Sequence, residues 1–312
     1  MKILVTGGAG FIGSHVVDRY VAAGHEVCVV DDLSTGQRAR VNPGARFHEL
    51  AIQSPELADV FAAERPEVVS HQAAQADVRR SVEDPAHDAR INILGSINLL
   101  DCCRRFQVGR VIYASSGGAV YGDADVIPTP EEHPTRPASP YGISKLTVEH
   151  YLACWRDLYG IRGLALRYAN VYGPRQSPLG EAGVVAIFAY RLLRGQEAVI
   201  NGDGRQTRDY VYVGDVADAN FRALERADVT GAVNVGTGVE TDVVDLFRRL
   251  RTAADVGAEA RHGPAKPGEQ RRSAVDPTRA TERLGWQPRV TLAEGLRLTV
   301  EHLRKDDGGP GR

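Results

Sequence analysis

The chain has 312 residues, enough for two domains at roughly 100 to 200 residues each. Lys and Arg total 38 against 40 Asp and Glu, a formal net charge of -2, so bulk charge calls for neither nucleic acid nor an anionic membrane. Hydrophobic residues make up 43% and charged residues 25%, with no run of about 18 apolar residues, which excludes a membrane span and argues against disorder.

Short β-branched runs alternate with helical patterns through the first half. Ile3 to Thr6, Glu26 to Asp31, Val68 to His71, Val111 to Ala114 and Gly163 to Leu166 read as strands, while Ile12 to Ala23 and Asp88 to Phe106 read as helices. Such alternation predicts an α/β fold, a doubly wound parallel sheet (Rossmann) covered on both faces. Near Asn170 the regularity gives way to a loop-rich stretch with Gly173-Pro174, Ser177-Pro178 and Gly180. The expected division is 1–169 for the nucleotide-binding domain and 170–304 for a smaller mixed α/β substrate lobe, with 305–312 a disordered tail. Strands near 208–213 and 231–236 are expected to return to the first domain or to line the interface. Asp242 to Ala254 and Leu292 to Leu303 read as helices.

Cys28, Cys102, Cys103 and Cys154 lack metal-ligand spacing and read as thiols in a reducing compartment. The N-terminal segment runs straight into a glycine motif, without signal-peptide regions, so the expected location is cytoplasmic. The histidines at 15, 25, 48, 71 and 150 are scattered, without i, i+4 pairing, so no metal is expected.

Gly7-x-x-Gly10-x-x-Gly13 follows a predicted strand and opens a helix through Phe11 and Ile12. Glycines there let the backbone approach a pyrophosphate, and the helix N-terminus offers unpaired N–H groups and a positive dipole end. Asp31, closing the second strand, has the type and spacing to accept from the adenosine ribose, which favours NAD over NADP. A strand-end turn residue is the plainer alternative for Asp31.

Ser139-Pro140-Tyr141 to Lys145 reads as a helix start, with Ser139 as N-cap and Pro140 at the first position. Tyr141 and Lys145 then share a face at i, i+4. Lys145 is one of only four lysines among the 38 basic residues. A nearby ammonium and the helix N-terminus favour the phenolate, so the tyrosine pKa is expected to fall towards neutrality and suit proton transfer.

At this point the chain resembles the extended short-chain dehydrogenase/reductases, and among them the NAD-dependent nucleotide-sugar epimerases of the UDP-sugar 4-epimerase type. The motifs are Val5-Thr6-Gly7, Asp31 to Gly36, His71 to Gln75, Val120-Tyr121-Gly122, Tyr141 to Lys145, Arg167 to Pro174, Arg208-Asp209-Tyr210 and Leu284-Gly285-Trp286. The resemblance implies NAD as cofactor, held by the residues above with Asp32, Ser34, Ala73, Ala74, Gln75, Tyr141 and Lys145. It implies a UDP-sugar substrate inverted at C4 through a 4-keto intermediate, with Tyr141, Lys145 and a hydroxyl in the catalytic roles. The hydroxyl's usual position is Gly117 here, so Ser116 is expected to supply it, with Ser115 the alternative. Asn170, Arg208, Lys266, Glu269 and Ser273 are implied as substrate contacts, and the small Ser273 as room for an N-acetyl group. The plainer readings are Arg208 paired with Asp209, Glu269 paired with Arg271, and Asn170 capping a turn.

Related dehydratases carry acidic residues after the hydroxyl, whereas this chain has Gly117-Gly118-Ala119. The alternatives are a UDP-glucuronate 4-epimerase, a nucleotide-sugar 4-ketoreductase and a non-catalytic NAD-binding regulator. The resemblance also implies a homodimer through the helices Asp88 to Phe106 and that of Tyr141.

Overall fold

The computed structural model describes residues 1–178, 183–265 and 270–307. Its strands are β1 (Lys2–Thr6), β2 (Glu26–Asp31), β3 (Arg46–Glu49), β4 (Val68–His71), β5 (Arg110–Ser116), β6 (Arg162–Tyr168), β7 (Asn170–Tyr172), β8 (Ala198–Asn201), β9 (Thr207–Tyr212), β10 (Gly231–Val235), β11 (Glu240–Asp242) and β12 (Ala260–Gly263). The helices are α1 (Phe11–Ala22), α2 (Leu57–Glu64), α3 (Val78–Glu83), α4 (Pro85–Ala89), α5 (Gly95–Arg105), α6 (Gly117–Val120), α7 (Pro140–Tyr159), α8 (Val184–Leu193), α9 (Val213–Glu225), α10 (Val243–Ala254) and α11 (Leu292–Asp307). Among the described residues no helix is long and apolar enough to cross a membrane.

Seven strands form a parallel sheet in the order β10-β6-β5-β4-β1-β2-β3. Their near-continuous apolar runs are what a sheet buried on both faces requires. One face packs on α1 and α9 through Val16, Val17, Tyr20, Val216 and Ala219, with Trp286 added from the C-terminal region. The other packs on α2, α5 and α7 through Phe61, Leu99, Cys103, Val148 and Leu152. Strand order reverses between β1 and β4, and the loops leaving those strands flank a crevice, the usual ligand site of such sheets. This is the doubly wound fold expected.

A smaller lobe carries the three-stranded sheet β11-β9-β7 and the parallel pair β12-β8. Its core lies between α8, α10 and α11, where Phe188 meets Phe247 edge to face at 5.6 Å. The chain leaves the large sheet after Tyr168 and re-enters it as β10 beside β6, whereas β9 stays in the lobe with β7. Arg110, 2% exposed on β5, donates to the carbonyls of Ala223 and Val229 at 2.9 and 3.1 Å. It thereby closes the C-terminal end of α9, where unpaired carbonyls favour a cation.

Two expected elements differ. The helix expected over Asp88 to Phe106 is present and begins earlier, running without interruption from Pro85 to Arg105, but Arg90–Leu94 within it, between α4 and α5, is wound as a π-helix. Buried Asn92 lies in that wider turn and reaches across to the loop after β4. The tail expected from Lys305 instead continues α11 to Asp307, and 308–312 lie outside the described residues.

Candidate active site

The crevice is built first by glycines. Gly7 has φ +68, and a β-carbon there would lie 2.6 Å from the Ala73 nitrogen, while one on Gly13 would overlap the Gly7 carbonyl. The loop therefore folds flat against Ala73 and turns directly into α1, whose N-cap Gly10 places no side chain over the first-turn N–H groups of Phe11 and Ile12. Those groups and the dipole form an anion cradle. Asp31 stands at the end of β2, 8% exposed, with its carboxylate accepting from the Ala9 and Leu33 nitrogens, each at 2.9 Å. Burial pushes its pKa up, and those two hydrogen bonds oppose the shift. Asp32 and Ser34 are exposed beside it, with the Ser34 hydroxyl donating to Asp32 at 2.6 Å. A flat glycine cradle with an acidic residue at the next strand end fits an adenine dinucleotide.

Facing this cradle along the carboxyl edge of the sheet stand Tyr141 and Lys145. Ser139 caps α7 by accepting from the Gly142 nitrogen at 3.1 Å, with Pro140 in the first turn as expected. Lys145 is 3% exposed; its Nζ donates to the Ala114 carbonyl at 2.8 Å and sits 4.9 Å from the Tyr113 ring centroid and 5.7 Å from that of Tyr141. Burial lowers its pKa to about 8, opposed by the carboxylates of Asp88 and Glu149.

The Tyr141 pKa moves opposite to expectation. Enclosure of the phenol raises it to about 12, while a hydrogen bond with Ser116 pulls it down. At this site the cost of placing an anion away from water exceeds the stabilisation available from the chain's own groups.

The strand sends the two serines different ways. Side chains alternate along β5, so Ser115 points under α7 and donates to Glu149 at 2.5 Å, while Ser116 meets Tyr141. Glu149 is held by Arg167 in a buried pair at 2.6 Å, and Arg167 also donates to the Tyr121 hydroxyl at 2.8 Å. Gly117 has no room for a hydroxyl-bearing side chain: a β-carbon there would lie 2.6 Å from Val275 Cγ1 and 3.2 Å from the Arg167 carbonyl.

The substrate-side residues are brought together in part. The point a Gly118 side chain would occupy lies 3.9 Å from both Asn170 Oδ1 and Ser273 Oγ, so these two flank α6, which follows directly on Ser116. Asn170 pairs with Tyr210 across β7 and β9, which places Arg208, two residues along, on the same face. Asp209 turns the other way, 1% exposed, and accepts from the Thr237 and Gly238 nitrogens and the Thr237 hydroxyl. It is therefore committed to that turn rather than to Arg208. Arg271 is held by Asp203 through two bonds of 3.0 and 3.1 Å. Lys266 and Glu269 lie outside the described residues.

A directed hydrogen-bond chain that sequence reasoning missed underlies the site. Ser96 Oγ gives its proton to the Asn92 carbonyl at 2.6 Å, so His71 Nε2–H must donate to Ser96 at 2.9 Å. His71 Nδ1 then accepts from Thr6 Oγ1 at 2.7 Å, and Thr6 accepts from the Ala73 nitrogen at 3.2 Å. His71 is 2% exposed; burial, helped by the Lys145 charge, lowers its pKa to about 3. No spacing in the sequence marks this chain, since its members come from three separate segments.

The first part of the chain, residues 3–236, matches the model of the NAD dependent epimerase/dehydratase family. The chain belongs to that family. A curated relative from Methanocaldococcus jannaschii, named putative UDP-glucose 4-epimerase, is 46% identical over 98% of this chain and 99% of its own length. The crystal structure of a Thermotoga maritima UDP-glucose 4-epimerase with UDP-glucose is 50% identical, with a TM-score of 0.96 over 98% of this chain and 99% of that one. A Thermus thermophilus UDP-glucose 4-epimerase complex with NAD is 46% identical, with a TM-score of 0.93 over 97% of this chain and 99% of that one.

The neutral His71 makes acid stability a readout of this site. Its native pKa of about 3 lies below the ordinary 6.5, so between those values the unfolded chain binds the extra proton and stability falls as pH falls. From this group the expected loss is about 1.4 kcal/mol per pH unit once pH is well below 6.5. Denaturant unfolding between pH 7 and 4 should show a shallower acid slope for His71→Gln than for the unsubstituted protein, and equal slopes would contradict the assignment.

Proposed function

We propose that the protein interconverts C4 epimers of a UDP-hexose, UDP-glucose and UDP-galactose, with NAD as a cofactor regenerated in each cycle. The single observation that carries this reading is the buried Lys145, with its Nζ 5.7 Å from the Tyr141 ring centroid, on the same sheet edge as the glycine cradle. The named relatives of nearly full length support it.

Tyr141 takes the proton from the sugar 4-hydroxyl and returns it after inversion. Ser116 holds the 4-oxygen against Tyr141. Lys145 stays largely cationic near neutral pH and is the charge beside the phenol. Bound NAD+ supplies the acceptor for the C4 hydride and a positive charge that favours the phenolate. Gly7, Gly10, Gly13, Phe11, Ile12 and Asp31 hold that cofactor, with Asp32, Ser34, Ala73, Ala74 and Gln75 around it. Asn170 and Arg208 contact the sugar nucleotide, joined by Lys266 and Glu269. Ser273, small and 7% exposed beside Gly118, leaves room at the sugar for an N-acetyl group. The segment Gly117–Val120 directly after Ser116 carries no carboxylate, which suits inversion better than dehydration.

The protein works as a cytoplasmic homodimer in this reading. Cys28, Cys102 and Cys103 are buried free thiols, in keeping with a reducing compartment. Val78, Val82, Leu94, Ile143 and Leu158, on and between α3 and α7, are exposed apolar side chains suited to a partner subunit.

Proton NMR of the protein with UDP-glucose, UDP-GlcNAc or UDP-glucuronate and added NAD+ tests the proposal. A galacto-configured product from UDP-glucose is expected, and no product from any of the three would overturn it. The serines should separate: Ser116→Ala is expected to lower turnover by about tenfold or more, the scale of a lost hydrogen bond to a charged group. Ser115→Ala should chiefly lower the melting temperature. Equal effects on turnover would contradict the roles assigned.

A further inference from the structure

One buried carboxylate is left unused by the reading above. Asp88, on α4 and 1% exposed, accepts through a single oxygen, Oδ1, from Gln75 Nε2 and from Asn92 Nδ2, each at 3.0 Å. Its side-chain partners among the described residues are thus neutral amides. A carboxylate this deeply buried ordinarily sits against a cation.

Both amides lead to the catalytic helix and the cofactor loop. Asn92 Oδ1 accepts from the Gln75 nitrogen at 2.8 Å, and its Nδ2 also reaches the Gln75 carbonyl at 2.9 Å and Ser144 Oγ at 3.2 Å. Ser144 in turn donates to the Tyr141 carbonyl at 2.9 Å. Gln75 Oε1 accepts from the Asp77 nitrogen at 2.7 Å, which fixes its amide orientation, so Nε2 must point at Asp88. Asp88 accepts but cannot donate, and this forces the same orientation on Asn92.

The charged and titratable groups facing Lys145 are Asp88 from α4, Glu149 and Tyr141 from its own helix, Tyr113 from β5 and His71 from β4. Glu149 is already matched by Arg167, and His71 is neutral. Asp88 therefore carries the anionic charge near Lys145 that no arginine among the described residues neutralises.

We propose that Asp88 is a positioning residue for the Tyr141–Lys145 pair: its buried carboxylate orients the Gln75 and Asn92 amides that brace α7 and supplies the unmatched negative charge facing the Lys145 ammonium. The inference rests on the catalytic roles proposed above for Tyr141 and Lys145. Removing the charge makes the ammonium harder to retain, so the alkaline limb of the turnover profile moves to lower pH.

The test is the pH dependence of kcat and KM for UDP-glucose in NAD-loaded enzyme, comparing the unsubstituted protein with Asp88→Asn, Asp88→Glu and Tyr141→Phe. For Asp88→Asn the alkaline limb should move down by about one pH unit, turnover at pH 8 should fall about fivefold or more, and KM should stay within about twofold. Asp88→Glu keeps the charge, so its limb should coincide with that of the unsubstituted protein while its turnover falls because the amides are misplaced. An unmoved limb in Asp88→Asn, or a moved limb in Asp88→Glu, would overturn the inference. If Asp88→Asn does not fold, Asp88→Glu alone still decides, through the same limb and through a turnover that must be reduced. Near-normal turnover in Tyr141→Phe would instead sink the underlying catalytic reading, whatever Asp88 does.

Discussion

A lysine ammonium sealed inside a protein must be met by acceptors from every side, and the architecture around Lys145 follows from that demand. Its proton-bearing nitrogen rests on the Ala114 carbonyl and against the Tyr113 ring, so β5 forms its floor. The carboxylate of Glu149 lies one turn further along α7, and it and the carboxylate of Asp88 on α4 both favour the charged lysine. Because Glu149 is tied to Arg167 and through it to Tyr121 and Asn234, the ammonium is linked to a polar chain that crosses β6 to β10. Burial still wins in part, since the lysine pKa stands at about 8 rather than at its ordinary 10.5. Such a group is cationic near neutral pH yet sensitive to any change in the charges around it.

The second requirement is a surface onto which a large anionic cofactor can be laid without collision. Sheet topology meets it by reversing strand order between β1 and β4, and the glycines finish it by removing every side chain that would stand between Ala73 and the N-terminus of α1. The hydrogen-bond chain from Ala73 through Thr6, His71 and Ser96 to Asn92 then ties the rim of that cradle to the π-wound turn before α5. A protonated His71 would reverse the sense of its bond with Thr6, so burying it neutral keeps the rim in one arrangement. The glycine loop and α7 are thus braced by the same interior groups.

Much of this was legible in the sequence wherever one local rule governs the outcome. The β-branched runs of β1, β2 and β4 occur close to where they were expected because strands buried on both faces leave a dense apolar signature. The glycine loop and the Ser139-Pro140 helix start are likewise local. The lobe was harder: among the described residues β8 and β12 pair with each other alone, and α9 follows β9 without a turn residue to mark the change. The π-wound stretch at Arg90–Leu94 goes with partners that Asn92 finds far along the chain. The Tyr141 pKa was misjudged because proximity to Lys145 can be read from spacing and burial cannot. That Ser115 points under α7 was within reach, since alternation along β5 sends the two serines to opposite faces as soon as the strand is known to extend to residue 116.

The central claim is that C4 is inverted by removing and restoring a hydride within one site, with Tyr141 moving only the oxygen's proton. The direct test is to supply UDP-glucose carrying deuterium at C4, in protonated water, and follow the label in the product by NMR. The account predicts UDP-galactose that retains the deuterium at C4. Product whose C4 deuterium has exchanged with solvent hydrogen would contradict it, because the hydrogen on carbon would then have left as a proton.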